Sequence, residues 1–214
     1  VDEEVLMPFL RLDAGDLLAL GAIFLFALPL HELAHAWVAE RLGDPTPRRA
    51  GRVTFNPVAH LDPIGALMLV LAGFGWARPV PVNPLYLRYG PRVGMALVGG
   101  AGPAANLLLA GLGILVYWAA PQPLLTSPLA LDFLLAWILI NVGLAVFNML
   151  PLPPLDGFRV LQGLLPPDMA YAYARLEAYG PLPLLLFLIL NSQLGLLSSI
   201  LQPVYGLVFL LMRL

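Results

Sequence analysis

The chain has 214 residues, a net charge of −2, no cysteine, and 60% hydrophobic against 11% charged residues, with a mean hydropathy of +0.85. Soluble domains carry about 25% charged residues, so this is one domain's length of chain but too apolar for water. Eleven basic residues against 13 acidic ones exclude a phosphate-tracking nucleic-acid surface, and without cysteine any metal must be held by His, Asp, Glu or main-chain oxygen.

Residues 1–16 form an acidic arm, with Asp2, Glu3, Glu4, Asp13 and Asp16 ahead of the first apolar run. Leu17 to Ala39 is apolar enough to cross a core of about 30 Å, since about 20 helical residues suffice. The acidic flank and the two histidines inside the run are wrong for a cleaved signal peptide. The polar connection Arg41 to Asp62 follows, with strand character at Gly51 to Phe55. Ile64 to Ala77 lies between Pro63 and Arg78 and is below spanning length, so it is expected to enter and return. Arg78 to Asn83 (RPVPVN) reads as an edge strand: Pro79 and Pro81 remove donors from one side while Val80 and Val82 donate from the other. Val93 to Ala119 and Leu129 to Leu150 are two further full-length spans. After the connection Pro151 to Ala178, the run Gly180 to Leu214 is interrupted at Asn191, Ser192 and Gln193 and reads as a helical hairpin. The expected fold is an all-α polytopic membrane protein of about five hydrophobic helices, with a re-entrant segment and a small strand element. It forms a single domain: arm 1–16, core 17–178, hairpin 179–214.

The chemistry is concentrated in His31-Glu32-Leu33-Ala34-His35, an HExxH motif inside the first span. Histidines at i and i+4 share one helical face and can grip one zinc ion, while the intervening glutamate is placed to act as general base on a water. Ionisable groups inside a membrane span are costly and functional by default. Catalytic zinc takes a third protein ligand. Val38 and Arg41 stand where the extended three-histidine pattern needs its glycine and histidine, so the third ligand comes from elsewhere. The candidates are His60, Glu40, Asp44, Asp62, Asp132, Asp156, Asp168 and Glu177. Asp156 stands out. It follows a span, in NMLPLPPLDGF, where an unpaired carboxylate is expensive; Pro151, Pro153 and Pro154 forbid helix before it and Gly157 lets the chain bend beside it. Its plain structural alternative is an N-cap for the following helix. Asn106 and Asn141 are intramembrane amides suited to interhelical hydrogen bonds, with Asn106 also a candidate on the substrate side. His60 is a loop cap, a substrate-site residue or a transient fourth ligand, the first being the commoner use.

HELAH in a transmembrane helix, followed by LGDPTPRRAGRVTFNPVAHLDPIG, FGWARPVPVNP, GPAAN and NMLPLPPLDG, resembles the site-2 protease family of intramembrane zinc metalloproteases, in its small prokaryotic branch without PDZ or CBS domains. The resemblance covers Leu28 to Gly163. It implies one zinc per chain, held by His31, His35 and Asp156, with Glu32 as the catalytic glutamate and Asn148 helping to hold the scissile peptide or its oxyanion. It also implies membrane-anchored protein substrates, cut within or near their transmembrane segments. The alternatives are a non-proteolytic zinc-binding membrane protein and a pseudoprotease that binds client helices.

Arginine counting orients the chain. Arg41, Arg48, Arg49 and Arg52, then Arg78, Arg88 and Arg92, then Arg159 and Arg175 fall in three connections that the positive-inside rule assigns to the cytoplasm. The connection Ala120 to Pro128 is uncharged and belongs outside. Entering near Leu17, the first helix reaches the two histidines after about 21 to 27 Å of rise, which places the site in the cytoplasmic third of the membrane. The expected location is a prokaryotic cytoplasmic membrane.

Overall fold

The computed structural model describes residues 18, 20–72, 76–121 and 125–213, so the acidic arm 1–16 lies outside it. Among these residues the secondary structure is helical. Helix α1, Leu20–Arg41, contains one π-helical turn at Ile23–Ala27. Pro29 gives the reason: a proline inside a helix removes a donor and crowds the carbonyl four residues back, and the wider turn accommodates both. The chain then runs through the short α2 (Thr46–Arg49), α3 (Pro63–Ala72), α4 (Gly90–Ala119) and α5 (Pro128–Asn148). It ends with α6 (Asp156–Leu164), α7 (Pro167–Ala174), α8 (Leu182–Leu194) and α9 (Leu196–Met212).

Helix α4 is the hub, packed against α1, α5 and α6. On one side Ala110 meets Leu134, Ile138 and Val142 of α5, and Val208 and Met212 of α9 close that cluster. On the other, Val98 packs with Ala39 of α1 and with Leu87. The outward faces are apolar too: Leu108, Leu112 and Leu115 of α4 and Leu186 and Ile189 of α8 are exposed. A surface of this kind is stable against hydrocarbon rather than water.

Among the described residues three helices are long and apolar enough to cross a membrane, α1, α4 and α5. The count rises to four if the bent pair Pro167–Tyr179 and Leu182–Leu194, which meet at 80°, is one broken span. The expected count of about five hydrophobic helices is reached only by including the shorter and the longer helix of the C-terminal hairpin, α8 and α9. The C-terminal hairpin does divide in two, at Gly195 in the left-handed region (φ 61°), but its helices of 13 and 17 residues rise only about 20 and 26 Å.

The strand element also needs correction. Among the described residues the only β pairing is an isolated antiparallel bridge, Leu61 to Ala77. Residues 51–55 form no strand, and the end of α2 claims their first two donors: Gly51 N–H bonds the Arg48 carbonyl and Arg52 N–H that of Pro47. Residues 78–83 carry no ladder. A side chain joins the two segments instead, the buried Arg52 guanidinium donating to the carbonyls of Pro79 (2.8 Å) and Arg78. The bridge shows that the excursion beginning at α3 comes back beside its own start, as the length of Ile64 to Ala77 required. Gly65 allows this return, since a Cβ there would lie 2.1 Å from the Trp76 carbonyl oxygen.

Candidate metal centre

His31 and His35 lie one helical turn apart on the face of α1 that meets α4, and both are buried. Their outer nitrogens are engaged. His35 Nδ1 stands 2.7 Å from the Val98 carbonyl, which can only accept, so Nδ1 carries the proton and Nε2 keeps its lone pair. His31 Nδ1 stands 2.6 Å from Asn106 Oδ1. Both Nε2 atoms therefore face inward, 3.0 Å apart. Pro103, inside α4, has no N–H to offer the Gly99 carbonyl four residues back, and the Val98 carbonyl used by His35 is the one just before it.

The third corner comes from a distant part of the chain. Helix α5 ends at Asn148, the proline turn reverses direction, and Asp156 opens α6 with no side-chain cap bond. Its Oδ2 lies 3.1 Å from His31 Nε2 and 3.3 Å from His35 Nε2. Asp156 is thus aimed at the imidazoles and does not serve as an N-cap.

Three acceptor atoms facing one another call for a cation. Asp156 Oδ2 is buried with no hydrogen-bond partner, a costly state unless positive charge is supplied. His31, His35 and Asp156 form a group able to hold a metal ion. For a triangle with sides of 3.0, 3.1 and 3.3 Å the centre lies about 1.8 Å from each corner, so the spacing of the three donor atoms fits the usual zinc–ligand distance of about 2.0–2.1 Å. Helix α4 comes this close because residue 102 is glycine: a Cβ would stand 2.4 Å from His35 Nε2 and 2.5 Å from His31 Nε2.

Other sequence candidates are placed as follows. Glu32, partly buried, makes no hydrogen bond to another described residue and is not one of the three clustered donors. Asn148 directs its Nδ2 to the Leu144 carbonyl at 3.0 Å, back along its own helix. His60 is fully buried outside the cluster and donates from Nε2 to the Thr54 carbonyl at 2.9 Å, which closes a loop. Asn106, also fully buried, sits behind His31 and bonds Asn141 at 3.0 Å. Val80 and Val82 make no main-chain hydrogen bond to a described residue. Sequence reasoning missed the Val98 carbonyl and the contact of Gly102 with the imidazoles. A main-chain acceptor has no residue signature, and nothing in GPAAN alone says which helix its glycine will meet.

No family model matches the chain, and no solved structure matches it. Curated proteins do. The chain is 45% identical over 156 residues, 71% of its length and 71% of the other's, to "Putative zinc metalloprotease YwhC" of Bacillus subtilis. It is 33% identical over 186 residues to "Putative zinc metalloprotease Rip2" of Mycolicibacterium smegmatis, covering 82% of this chain and 68% of that one. The Rip2 of Mycobacterium tuberculosis is 31% identical over 170 residues, 78% of this chain and 65% of that protein. With this similarity, and an HExxH helix whose two histidines meet a remote aspartate, the chain belongs to the site-2 protease family of zinc metalloproteases.

Proposed function

We propose that this protein is an intramembrane zinc endopeptidase that hydrolyses peptide bonds within or near the transmembrane segments of membrane-anchored proteins. The observation that carries the reading is the convergence of His31, His35 and Asp156 on one side of an apolar helix long enough to span. These three residues would hold one zinc ion, which when bound supplies a Lewis acid for the scissile carbonyl and acidifies a water. Glu32 projects about 100° round α1 from His31, next to the metal face, with no described partner to hold it back. Its carboxylate takes the proton of the attacking water and returns it to the departing amine. Asn148 has a second amide proton beyond the one engaged by Leu144, available to a carbonyl oxygen that gains charge.

A helical substrate hides its carbonyls in its own hydrogen bonds and must be extended before attack. Residues 78–83 are suited to hold it. The Arg52 guanidinium and the Arg78 N–H bond to the His60 carbonyl pin one end, and Asp44 accepts the Asn83 N–H at 2.7 Å at the other. Between these anchors the Val80 and Val82 N–H groups have no described main-chain partner, the condition for accepting an added strand. Val82 packs against Ala39, Leu87 and Val98, so Val80 is the cleaner position to test. Val80→Pro removes one donor and lowers kcat/KM by about two- to tenfold, the worth of one hydrogen bond, with zinc content unchanged. Unaltered kinetics would remove this segment from the substrate site.

The proposed location is a prokaryotic cytoplasmic membrane with the metal site toward the cytoplasm. The support is the arginine distribution and the position of His31 and His35 in the half of α1 nearer Arg41. A single cysteine at exposed Ala50 then reacts only with reagents admitted to the cytoplasm, and one at exposed Thr126 only from outside. The reverse labelling pattern would overturn the orientation.

The experiment that tests the function is co-expression with a single-span membrane protein, comparing the wild-type chain with Glu32→Gln. Cleavage by the first and not the second is the expected result. No cleavage by either would return the reading to a zinc-binding protein that does not cut.

A further inference from the structure

Behind His31 runs a chain of amides whose direction is fixed by its far end. Asn141 Nδ2 lies 2.9 Å from the Trp137 carbonyl of its own helix. A main-chain carbonyl cannot donate, so Asn141 presents its NH2 there and turns Oδ1 toward α4. That oxygen accepts from Asn106 Nδ2 at 3.0 Å, which leaves Asn106 Oδ1 pointing at His31 Nδ1, 2.6 Å away. Each amide is oriented by the one behind it, and the last acceptor admits only an N–H on His31 Nδ1. Both asparagines are fully buried, so water cannot substitute for any of these partners.

We infer that Asn106 is a positioning residue for the metal site, and that Asn141, across a third helix, fixes its orientation: together they hold His31 as the tautomer with a proton on Nδ1 and a lone pair on Nε2. The inference rests on His31 being a zinc ligand, as proposed above, and adds the residues that prepare it. An unoriented imidazole distributes its proton over both nitrogens and swings about its side-chain torsions. Held as here, it meets the ion without a tautomer change or rotation. The bland alternative is that the two amides only tie α4 to α5, a use to which polar side chains in membrane helices are commonly put.

The two roles separate in three variants of the full-length protein purified in detergent. Zinc affinity is read by competition with a chromophoric chelator, and stability by melting the metal-free form. Asn106→Leu removes the acceptor and weakens zinc binding by about tenfold to a hundredfold, the usual effect of losing such a partner. Asn106→Asp keeps an acceptor facing His31 whichever oxygen turns toward it, and restores zinc affinity to within about threefold of wild type. That variant still loses the N–H bond to Asn141 and melts lower. Asn141→Leu touches no ligand, yet it frees the Asn106 amide to turn over and costs about tenfold in zinc affinity. Asn106→Leu that melts lower but binds zinc as tightly as wild type would overturn the positioning role and leave only the tie between helices. Equal zinc loss in Asn106→Leu and Asn106→Asp would overturn it as well, because the acceptor would then be irrelevant. A wild-type chain that takes up no zinc would instead overturn the metalloprotease reading, and with it any metal-directed role for the amides.

Discussion

Exchanging Glu32 for glutamine lowers proteolysis by about a hundredfold to ten-thousandfold, the range general-base catalysis supplies, while zinc stays at its wild-type stoichiometry. The argument is one of placement. Glu32 follows the first histidine of the motif, so its side chain leaves α1 beside the metal face, and it is not one of the three donors gathered there. Among the described residues it has no hydrogen-bond partner, unlike Glu40, which pairs with Arg48, or Asp44, which accepts main-chain N–H groups from Thr46 and Asn83. A partly buried acidic side chain beside the three clustered donors, with no hydrogen bond to a described residue, is placed as a proton acceptor must be. Glutamine keeps the shape and removes the ability to take a proton. Zinc analysis of the purified variant beside its cleavage assay reads both halves of the prediction. Retained cleavage would place the base elsewhere, and loss of zinc along with activity would make Glu32 a ligand.

The legible parts of this structure are those in which a local rule and an energetic penalty coincide. Spacing of i and i+4 puts His31 and His35 on one face of any helix, and a carboxylate in an uncharged stretch from Phe133 to Phe158 demands a partner wherever the chain goes. The two demands could be matched without knowing the fold, and the structure brings those residues to within 3.3 Å. The strands were misread because alternation describes only one strand. Pro79 and Pro81 do leave an extended segment with free donors, but a ladder needs a second segment with unengaged main chain. In residues 51–55 the first two donors, Gly51 and Arg52 N–H, are taken by the end of α2, with Gly51 at φ 69° completing the turn. The link between the segments is the Arg52 side chain, which no periodicity reveals. At the C-terminal end the two helices of the hairpin were legible but not their relation to the membrane: apolar character persists from Gly180 on, while Gly195 divides it into helices of 13 and 17 residues, short for a full crossing. The surroundings of the histidines were the least legible of all. They consist of a carbonyl, a glycine and an amide whose significance depends on which helices become neighbours.

Removing the Asp156 carboxylate is expected to empty the metal site, while removing the His60 imidazole leaves it filled. Both residues were open as third ligand from residue types alone, and the geometry separates them. Asp156 Oδ2 is within 3.3 Å of both Nε2 atoms and has no hydrogen bond of its own, whereas His60 is buried in a different loop with Nε2 on the Thr54 carbonyl. Asp156→Ala leaves two neutral imidazoles. An ion held by them alone keeps neither the charge compensation nor the third contact that catalytic zinc sites use, so dialysed protein is expected to hold only a small fraction of the wild-type zinc. The variant should still fold: Asp156 caps nothing, Gly157 keeps its place against Met149, and relieving a buried, unpartnered oxygen costs the apoprotein little. His60→Ala loses a loop contact and melts lower, with its zinc retained. Elemental analysis of the two variants after identical dialysis against a weak chelator decides the matter. Zinc lost from the His60 variant and kept in the Asp156 variant would exchange their roles and require α6 to move away from α1, an arrangement that Gly99, with the Asp156 carbonyl 3.1 Å from where its Cβ would be, argues against.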